Sequence, residues 1–148
     1  MPFYSMGFLT TATATGAPVL GIRAPTNAIK VWEIALNCKA ATASGLVLYR
    51  NTNGSYAAST STSVGQAEDP TSHAGTGLLD TAWSAAPTIT AASKMRYGGA
   101  PAAIGAGWIW TSRAGIGIRA ATATDILVLW NESGSAISAM TGHVVWEE

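Results

Sequence analysis

Short stretches of alternating apolar and polar residues recur along the chain and predict a protein built of β-strands. In the ten residues from position 29 to position 38, a period of two places Trp32, Ile34, Leu36 and Cys38 on one face of a strand. We expect that face to pack against a core. The opposite face carries shorter and more polar side chains.

A second strand pattern, Asp125 to Asn131, is apolar on both of its faces. Such a pattern is typical of a strand that is covered on both sides or that lies at a subunit contact. Leu127 and Leu129 share one of these faces and are candidate interface residues. The sequence leaves open which of the two faces meets another subunit.

Similar patterns predict ten short strands, separated by glycine, proline and asparagine residues that favour turns. No segment shows a 3.6-residue apolar stripe. The chain is therefore predicted to be all-β, a single sandwich or barrel. The predicted strands are Phe3 to Leu9, Val19 to Arg23, Ile29 to Cys38, Gly45 to Arg50, Gly77 to Asp80, Lys94 to Tyr97, Gly107 to Thr111, Ile116 to Arg119, Asp125 to Asn131 and His143 to Glu148.

Two regions are predicted to lie outside the regular sandwich. Residues 1–17 are expected to form a flexible N-terminal arm that becomes ordered against a neighbour, with Phe3, Tyr4 and Phe8 as its candidate interface residues. The sandwich domain then covers residues 18–148. Ser55 to Thr76 is polar and longer than most connections, and it predicts a functional or flexible loop, preceded by a hairpin turn at Asn53-Gly54.

The composition limits the classes of function. The chain has 148 residues, enough for one domain, and only 11% of them are charged, against about 25% in typical globular proteins. Eight basic and eight acidic residues balance, and neither sign is concentrated, so we expect no nucleic-acid partner. The first nine residues contain no basic residue and no long apolar run, which argues against a signal peptide, and no stretch of 18 apolar residues predicts a membrane span.

Few reactive side chains are present, and we expect a protein that is not an enzyme, with no catalytic, cofactor-binding or metal-binding residues. Cys38 is the only cysteine, and the only histidines are His73 and His143. His73 and Asp80 could in principle supply metal ligands, but their spacing matches no known metal-binding loop, and Asp69-Pro70 has the sequence of an ordinary turn. Catalysis by a serine nucleophile would need an oriented histidine, and no such arrangement is indicated.

Six tryptophans provide the most distinctive candidate chemistry. Trp32, Trp130 and Trp146 lie among apolar neighbours and are predicted to be core residues. Trp108 and Trp110 share one face of a strand around Ile109, and Trp83 is predicted to lie in a loop. These last three are candidate interface residues, for a neighbouring subunit or for a sugar.

Five short segments carry a resemblance to a known family: Gln66 to Pro70, Thr81 to Thr88, Pro101 to Trp110, Leu127 to Asn131 and Val144 to Glu148. They resemble segments of small tailed-phage virion proteins of the capsid decoration, or cement, type. The resemblance covers roughly residues 17–148.

The resemblance implies a jelly-roll-like β-sandwich of about eight to ten strands that forms a homotrimer. Its partner would be the major capsid protein, and its place would be the outer capsid surface of a virion, after synthesis in the host cytoplasm. There it would bridge capsid subunits and stabilise the shell. The alternative is a glycan- or host-surface-binding module of a phage head or tail fibre, with Trp83, Trp108 or Trp110 in the binding site.

Overall fold

The chain folds into two antiparallel β-sheets that pack face to face. The computed structural model describes residues 1–51, 56–62, 66–87, 94–112, 117–120 and 125–148, and for residues 58–62 it describes the backbone alone. Within these ranges there are twelve strands and no helix. The predicted all-β class is confirmed.

The strands have the following bounds: β1 Phe3–Leu9, β2 Pro18–Arg23, β3 Ile29–Cys38, β4 Ser44–Asn51, β5 Ala57–Thr62, β6 Gln66–Ala67, β7 Leu78–Ala85, β8 Lys94–Ala100, β9 Gly107–Thr111, β10 Ile118–Ala120, β11 Ile126–Asn131 and β12 Met140–Glu147.

Sheet 1 has the strand order β10-β3-β12-β1-β6, with β9 also paired to β3, and sheet 2 has the order β5-β7-β2-β11-β4-β8. The stretches β9-β3-β12-β1 and β8-β4-β11-β2 together have the strand order of a jelly roll, in which the chain passes repeatedly from one sheet to the other. The remaining strands extend these two sheets at their edges. The predicted jelly-roll-like sandwich is therefore confirmed.

The core lies between the two sheets and is formed by alternate residues of both. Ile34 and Leu36 of β3 and Val144 of β12 enter it from sheet 1, while Leu48 of β4 and Leu129 of β11 enter it from sheet 2. Burial of these branched side chains is the main stabilising contribution, at about 25 cal/mol for each Å² of apolar surface removed from water. Trp146 is fully buried in the same core, as predicted.

Trp32 does not face the core, and the period-two prediction for β3 is wrong at this residue. Trp146 of β12 pairs with Val31 and Val145 pairs with Glu33, so Trp32 is an extra residue with no partner on β12. Such a β-bulge reverses the inward and outward alternation. Trp32 therefore lies on the outside of sheet 1. There its ring contacts Phe3 at 6.0 Å, and its Nε1 donates a hydrogen bond to the Glu147 carboxylate at 3.2 Å.

Residues 1–17 form part of the sandwich and not a separate arm. All seven residues of β1 pair with β12, and Tyr4 and Phe8 are buried in the core. Tyr4 stacks on Trp146 with ring centroids 6.1 Å apart. The following residues are also held, since Asn131 donates from its side chain to the carbonyls of Thr13 and Ala14. We expected a neighbouring protein to order this segment, but β12, near the other end of the same chain, pairs with it instead.

The polar stretch 55–76 is more regular than predicted. Two strands, β5 and β6, lie within it. Strand β7 extends to Ala85, beyond the predicted end at Asp80, so the prediction that Trp83 lies in a loop is wrong. Serine and threonine suit an edge strand that is half exposed, although they do not produce an apolar alternation. The predicted turn at Asn53-Gly54 lies outside the described residues.

Candidate interaction surface

The two outer surfaces of the sandwich differ in how far they are covered. We call the outer surface of sheet 2 the covered face, comprising Gly21, Arg23, Val47, Tyr49, Asp80, Ile126, Val128 and Trp130, with Tyr97 of the edge strand β8, 65% exposed, at its margin. We call the outer surface of sheet 1 the open face, comprising Phe3, Ser5, Gly7, Leu9, Trp32, Glu33, Ala35, Ile109, His143, Val145 and Glu147. Both sets follow from the strand registers.

Aromatic side chains of the same chain cover part of the covered face. Val128 and Ile126 are fully buried there, although they point away from the core between the sheets. A Cβ atom at Gly21 would lie 2.7 Å from Ile126 Cδ1 and 3.2 Å from Trp83 Cζ2, so the indole of Trp83 packs over Gly21. Both faces of β11 are thus covered within one chain.

A buried ion pair lies on the covered face. Arg23 Nε donates to Asp80 Oδ2 at 2.6 Å, and Arg23 Nη2 donates to Asp80 Oδ1 at 3.1 Å, which is a two-point contact. Asp80 is fully buried. The hydrogen bond to Asp80 is the main reason that the pKa of Arg23 is raised above its ordinary value. Breaking such a pair leaves a charge in a poorly solvated site, so we assign it a structural role.

A second polar cluster lies at the rim of the covered face. Lys94 Nζ lies 2.6 Å from the Glu132 carboxylate, and the Tyr49 hydroxyl donates to the same carboxylate. The bond to Lys94, followed by that to Tyr49, lowers the pKa of Glu132. Trp130 lies edge-on to Tyr49 at 6.4 Å. Trp130 is half-buried at this rim, so the prediction that it is a core residue is wrong.

The open face leaves large apolar side chains in contact with solvent. Phe3 is 42% exposed, Leu9 is 52% exposed and Ile109 is 59% exposed. Val145, on β12 between β1 and β3, is half-buried. Phe3 and Leu9 lie at the two ends of β1, and Ile109 lies on β9 at the other side of the sheet, so these apolar side chains surround the polar centre of the face. A face that combines exposed apolar side chains with polar groups is suited to binding another protein.

A groove of about 740 Å³ crosses the open face next to β1. Its acidic and polar lining includes Glu33, Glu68, Gln66 and Ser5, and no lysine or arginine occurs among its described lining residues. His143 Nε2 lies 2.7 Å from Glu33 Oε1 in this groove. Both side chains are substantially exposed, so the pair is available to an incoming group.

The acidic groove continues past Glu68 to Asp69. A further hollow of about 420 Å³ is lined by Phe3, Glu68 and Asp69 among others. Asp69 accepts hydrogen bonds from the Thr71 backbone N–H at 2.9 Å and from the Thr71 hydroxyl at 2.7 Å, the geometry of an Asx turn. These bonds lower the pKa of Asp69, so it keeps its negative charge to a lower pH than an ordinary aspartate does.

His73 and Asp80 have different sets of contacts. The Tyr4 hydroxyl lies 3.2 Å from His73 Nε2, whereas Asp80 binds Arg23 on the covered face. Within the part of the chain that the structure describes, no group of three or more histidine, cysteine, aspartate or glutamate side chains is placed to hold a metal ion. The described residues also contain no helix that is long and apolar enough to span a membrane.

Trp108 and Trp110 project from β9 toward the inside of the sandwich and lie against β8. Their rings are 5.7 Å apart and nearly perpendicular, and Trp110 Nε1 donates to the Tyr97 carbonyl at 3.3 Å. A side chain at Gly98 would overlap both indoles, so this glycine makes room for them. The two tryptophans do share one face, as predicted, but they join the sheet edges and remain half-buried.

The structure separates the predicted interface residues into two groups. Leu127 and Leu129 are 0% exposed within this chain's own core, and Tyr4 and Phe8 are also buried, so none of these four is on the surface. Phe3 is exposed, and Trp83, Trp108 and Trp110 are half-buried. An interface role for these four stays a prediction.

The sequence interpretation missed Leu9 and Ile109 as surface residues. Ile109 lies between two tryptophans that face inward, so its outward position follows from the period of two once the direction of those tryptophans is known. Comparison with protein-family models, with curated proteins and with solved structures finds no match for this chain.

Proposed function

We propose that this protein is a structural subunit of a tailed-phage virion, a capsid decoration protein that docks on the major capsid protein through its open face and reinforces the shell. The observation that carries the proposal is the contrast between the two outer faces. One is covered by the chain's own side chains over its central strands, with Tyr97 exposed at its edge strand, and the other exposes Phe3 and Leu9 beside an acidic groove.

The chemistry of the open face defines the partner surface. Phe3 and Leu9 need apolar side chains opposite them, while Glu33, Glu68 and Asp69 favour lysine or arginine. A capsid surface that combines an apolar patch with basic residues would meet both demands. Each contact with the shell can be weak. An assembly of several copies that binds several capsid subunits at once is held more tightly than a single copy would be.

The hydrogen bonding of the sandwich suits a part that must resist mechanical load. β1 pairs with β12 along its whole length, and the Asn131 side chain holds residues 13–14 and donates to the Ser135 carbonyl. Glu148 adds another connection, since its carboxylate accepts from the Thr76 backbone N–H at 2.7 Å and from Asn27 at 3.1 Å. The segments before and after the central strands are thus tied together.

The test uses phage shells that lack the protein. Added wild-type protein should bind them and raise the temperature at which they lose their DNA. A Phe3→Asp, Leu9→Asp double variant should bind at least about tenfold more weakly, because it replaces two apolar contacts with charges opposite an apolar surface. Ile104→Asp is the matched control, since Ile104 is 76% exposed but lies in the connection between β8 and β9.

Two results would contradict the proposal. One is wild-type protein that leaves the heat stability of the shells unchanged. The other is a double variant that is folded, as judged by circular dichroism, and binds as tightly as the Ile104→Asp control.

The glycan-binding alternative has one observation in its favour. The groove beside β1 combines carboxylates, an amide and a hydroxyl, which are the groups that hydrogen-bond to sugars. Trp108 and Trp110 do not line it, so a sugar site here would not use them. Binding on a glycan array that is lost in a Glu33→Gln, Gln66→Ala variant would support this alternative.

A further inference from the structure

Strand β9 lies at an edge of sheet 1. It pairs on one side with β3, over Glu33 to Asn37, and within the described residues no strand pairs with its other side. An edge strand of this kind presents unpaired backbone groups on which another strand can add.

The hydrogen-bond pattern identifies the backbone groups that face outward. Ser112 donates to the Trp32 carbonyl at 2.8 Å, and Cys38 donates to the Ala106 carbonyl at 2.7 Å, both in the register of the ladder. In an antiparallel pair, residues alternate between bonding to the neighbouring strand and pointing away from it. Trp108 and Trp110 therefore bond to β3. Gly107, Ile109 and Thr111 direct their N–H and C=O groups away from it, and all three are exposed.

The strand is also self-complementary. Its sequence, Gly-Trp-Ile-Trp-Thr, contains no charge and no proline, the residues that usually protect an edge from pairing. In antiparallel pairing about a twofold axis, Ile109 would lie opposite its own counterpart, and Gly107 would lie opposite Thr111 of the partner subunit. Trp108 would lie opposite Trp110 of the partner subunit, an aromatic cross-strand pair. No like charges meet in this arrangement.

The other described edge at this side of the sandwich is less suited to symmetric pairing. Strand β8 carries Lys94 and Arg96, and charged residues on an edge strand protect it from pairing with another strand. The chain as a whole has a formal net charge of +0, which removes general repulsion between copies. These comparisons favour β9 as the contact and a second copy of this chain as its occupant.

We propose that β9 pairs antiparallel with β9 of a second copy, so that the two copies of sheet 1 join into one continuous sheet. Each outward-facing residue then exchanges hydrogen bonds with its counterpart, and Ile109 becomes buried. The contact is isologous and closes as a dimer. It does not depend on a capsid partner, and it replaces the trimer that the resemblance implies.

The decisive experiment measures the mass of the isolated chain by sedimentation equilibrium over a range of concentrations. The wild-type protein should approach twice the 15.1 kDa of one chain. Ile109→Lys should sediment as a single chain, because the pair would place two lysines face to face. Ile109→Pro should do the same, since it removes the central outward N–H and leaves the bonds to β3 in place.

Leu9→Lys is the matched control. Leu9 is an exposed aliphatic residue on the same face of sheet 1, but it lies on β1, separated from β9 by β3 and β12. This variant should remain a dimer. Circular dichroism and thermal melting must show that all three variants are folded.

Cross-linking checks the register. Directly paired residues of an antiparallel ladder have Cα atoms about 4.5–5.5 Å apart, within disulfide range, so Ile109→Cys should give a covalent dimer on oxidation, and Leu9→Cys should not. Cys38 is buried and does not compete.

A wild-type mass of one chain or of three chains would overturn the proposal, as would dimers that persist in both Ile109 variants. The capsid proposal has a separate readout, because shell binding is tested with variants of Phe3 and Leu9 that leave β9 unchanged.

Discussion

The two outer faces of this sandwich are built from strands of similar length, yet they have opposite relations to solvent. On sheet 2, aromatic side chains of the same chain lie over the strands, and a valine, an isoleucine and a carboxylate are buried. On sheet 1 the Trp32 indole lies beside Phe3, but Phe3, Leu9 and Ile109 remain exposed. Side chains packed over the outside of sheet 2 therefore add to the stability of the fold, while the outside of sheet 1 is available for binding.

The largest expected difference between the faces comes from adding a charge to each. Val128→Lys should lower the free energy of unfolding by about 4 kcal/mol or prevent folding, because it buries an unpaired ammonium group. Val145→Lys, on the open face and opposite Glu33, should change it by less than about 0.5 kcal/mol. Urea denaturation of both variants measures the difference. Similar losses in both would mean that the faces are equally buried.

The two ion pairs give the next comparison. Asp80→Ala should cost about 3 kcal/mol, because Arg23 loses a buried partner, whereas Glu33→Ala should cost under about 1 kcal/mol, since its contact with His143 is exposed. Chemical denaturation provides both values. An Arg23→Met, Asp80→Leu double variant should recover most of the loss. If it is as unstable as Asp80→Ala, the loss does not arise from the missing contact between Arg23 and Asp80.

Two glycines test how closely each face is packed. Gly21→Ala should destabilise by about 1–2 kcal/mol, because the new methyl group would overlap Ile126 and Trp83. Gly7→Ala should be neutral or slightly stabilising, since the nearest heavy atom to its Cβ would be the Gly142 carbonyl oxygen at 3.7 Å. The midpoints of thermal unfolding of the two variants should therefore shift in different directions or by clearly different amounts. Equal shifts would mean that Gly21 is no more closely packed than Gly7.

The smallest expected effect is on how stability depends on acid pH, through Glu132 at the rim of the covered face. The pKa of Glu132 is lowered from its ordinary value of 4.5, mainly by its bond to Lys94. This bond therefore stabilises the fold fully above about pH 4.5. Its contribution is lost as the pH falls through the lowered pKa. Glu132→Gln should therefore make stability less dependent on pH below 4.5, by under about 1 kcal/mol. Denaturation midpoints measured between neutral and acid pH test this. Lys94→Met should have the same effect, and an unchanged acid profile in either variant would contradict it.

Local patterns in the sequence were sufficient to locate strands, because alternation and turn residues are short-range signals. The bounds of β1, β3 and β9 match the prediction at both ends. What failed was the direction of particular side chains. Trp32 has apolar neighbours, but a bulge, visible only through the register with β12, turns it outward.

Pairing between distant segments was the other feature that the sequence could not supply. Residues 3–9 have the composition of an arm, and it is their pairing with β12 and β6 that makes them part of a sheet. Leu127 and Leu129 illustrate the same limit. An apolar strand needs cover on both faces, but nothing in its own residues indicates whether that cover comes from the same chain, as it does here, or from another subunit.

The position of β12 between β1 and β3 has a consequence for biosynthesis. While the ribosome is still making the polypeptide, β1 and β3 have already emerged, but the strand that joins them has not yet been translated. Until then, the apolar sides of both segments lack their final neighbour and are open to mispairing with other nascent chains. Molecular chaperones that shield nascent chains should therefore improve the yield of this protein more than that of a sandwich whose adjacent strands follow one another in order of synthesis.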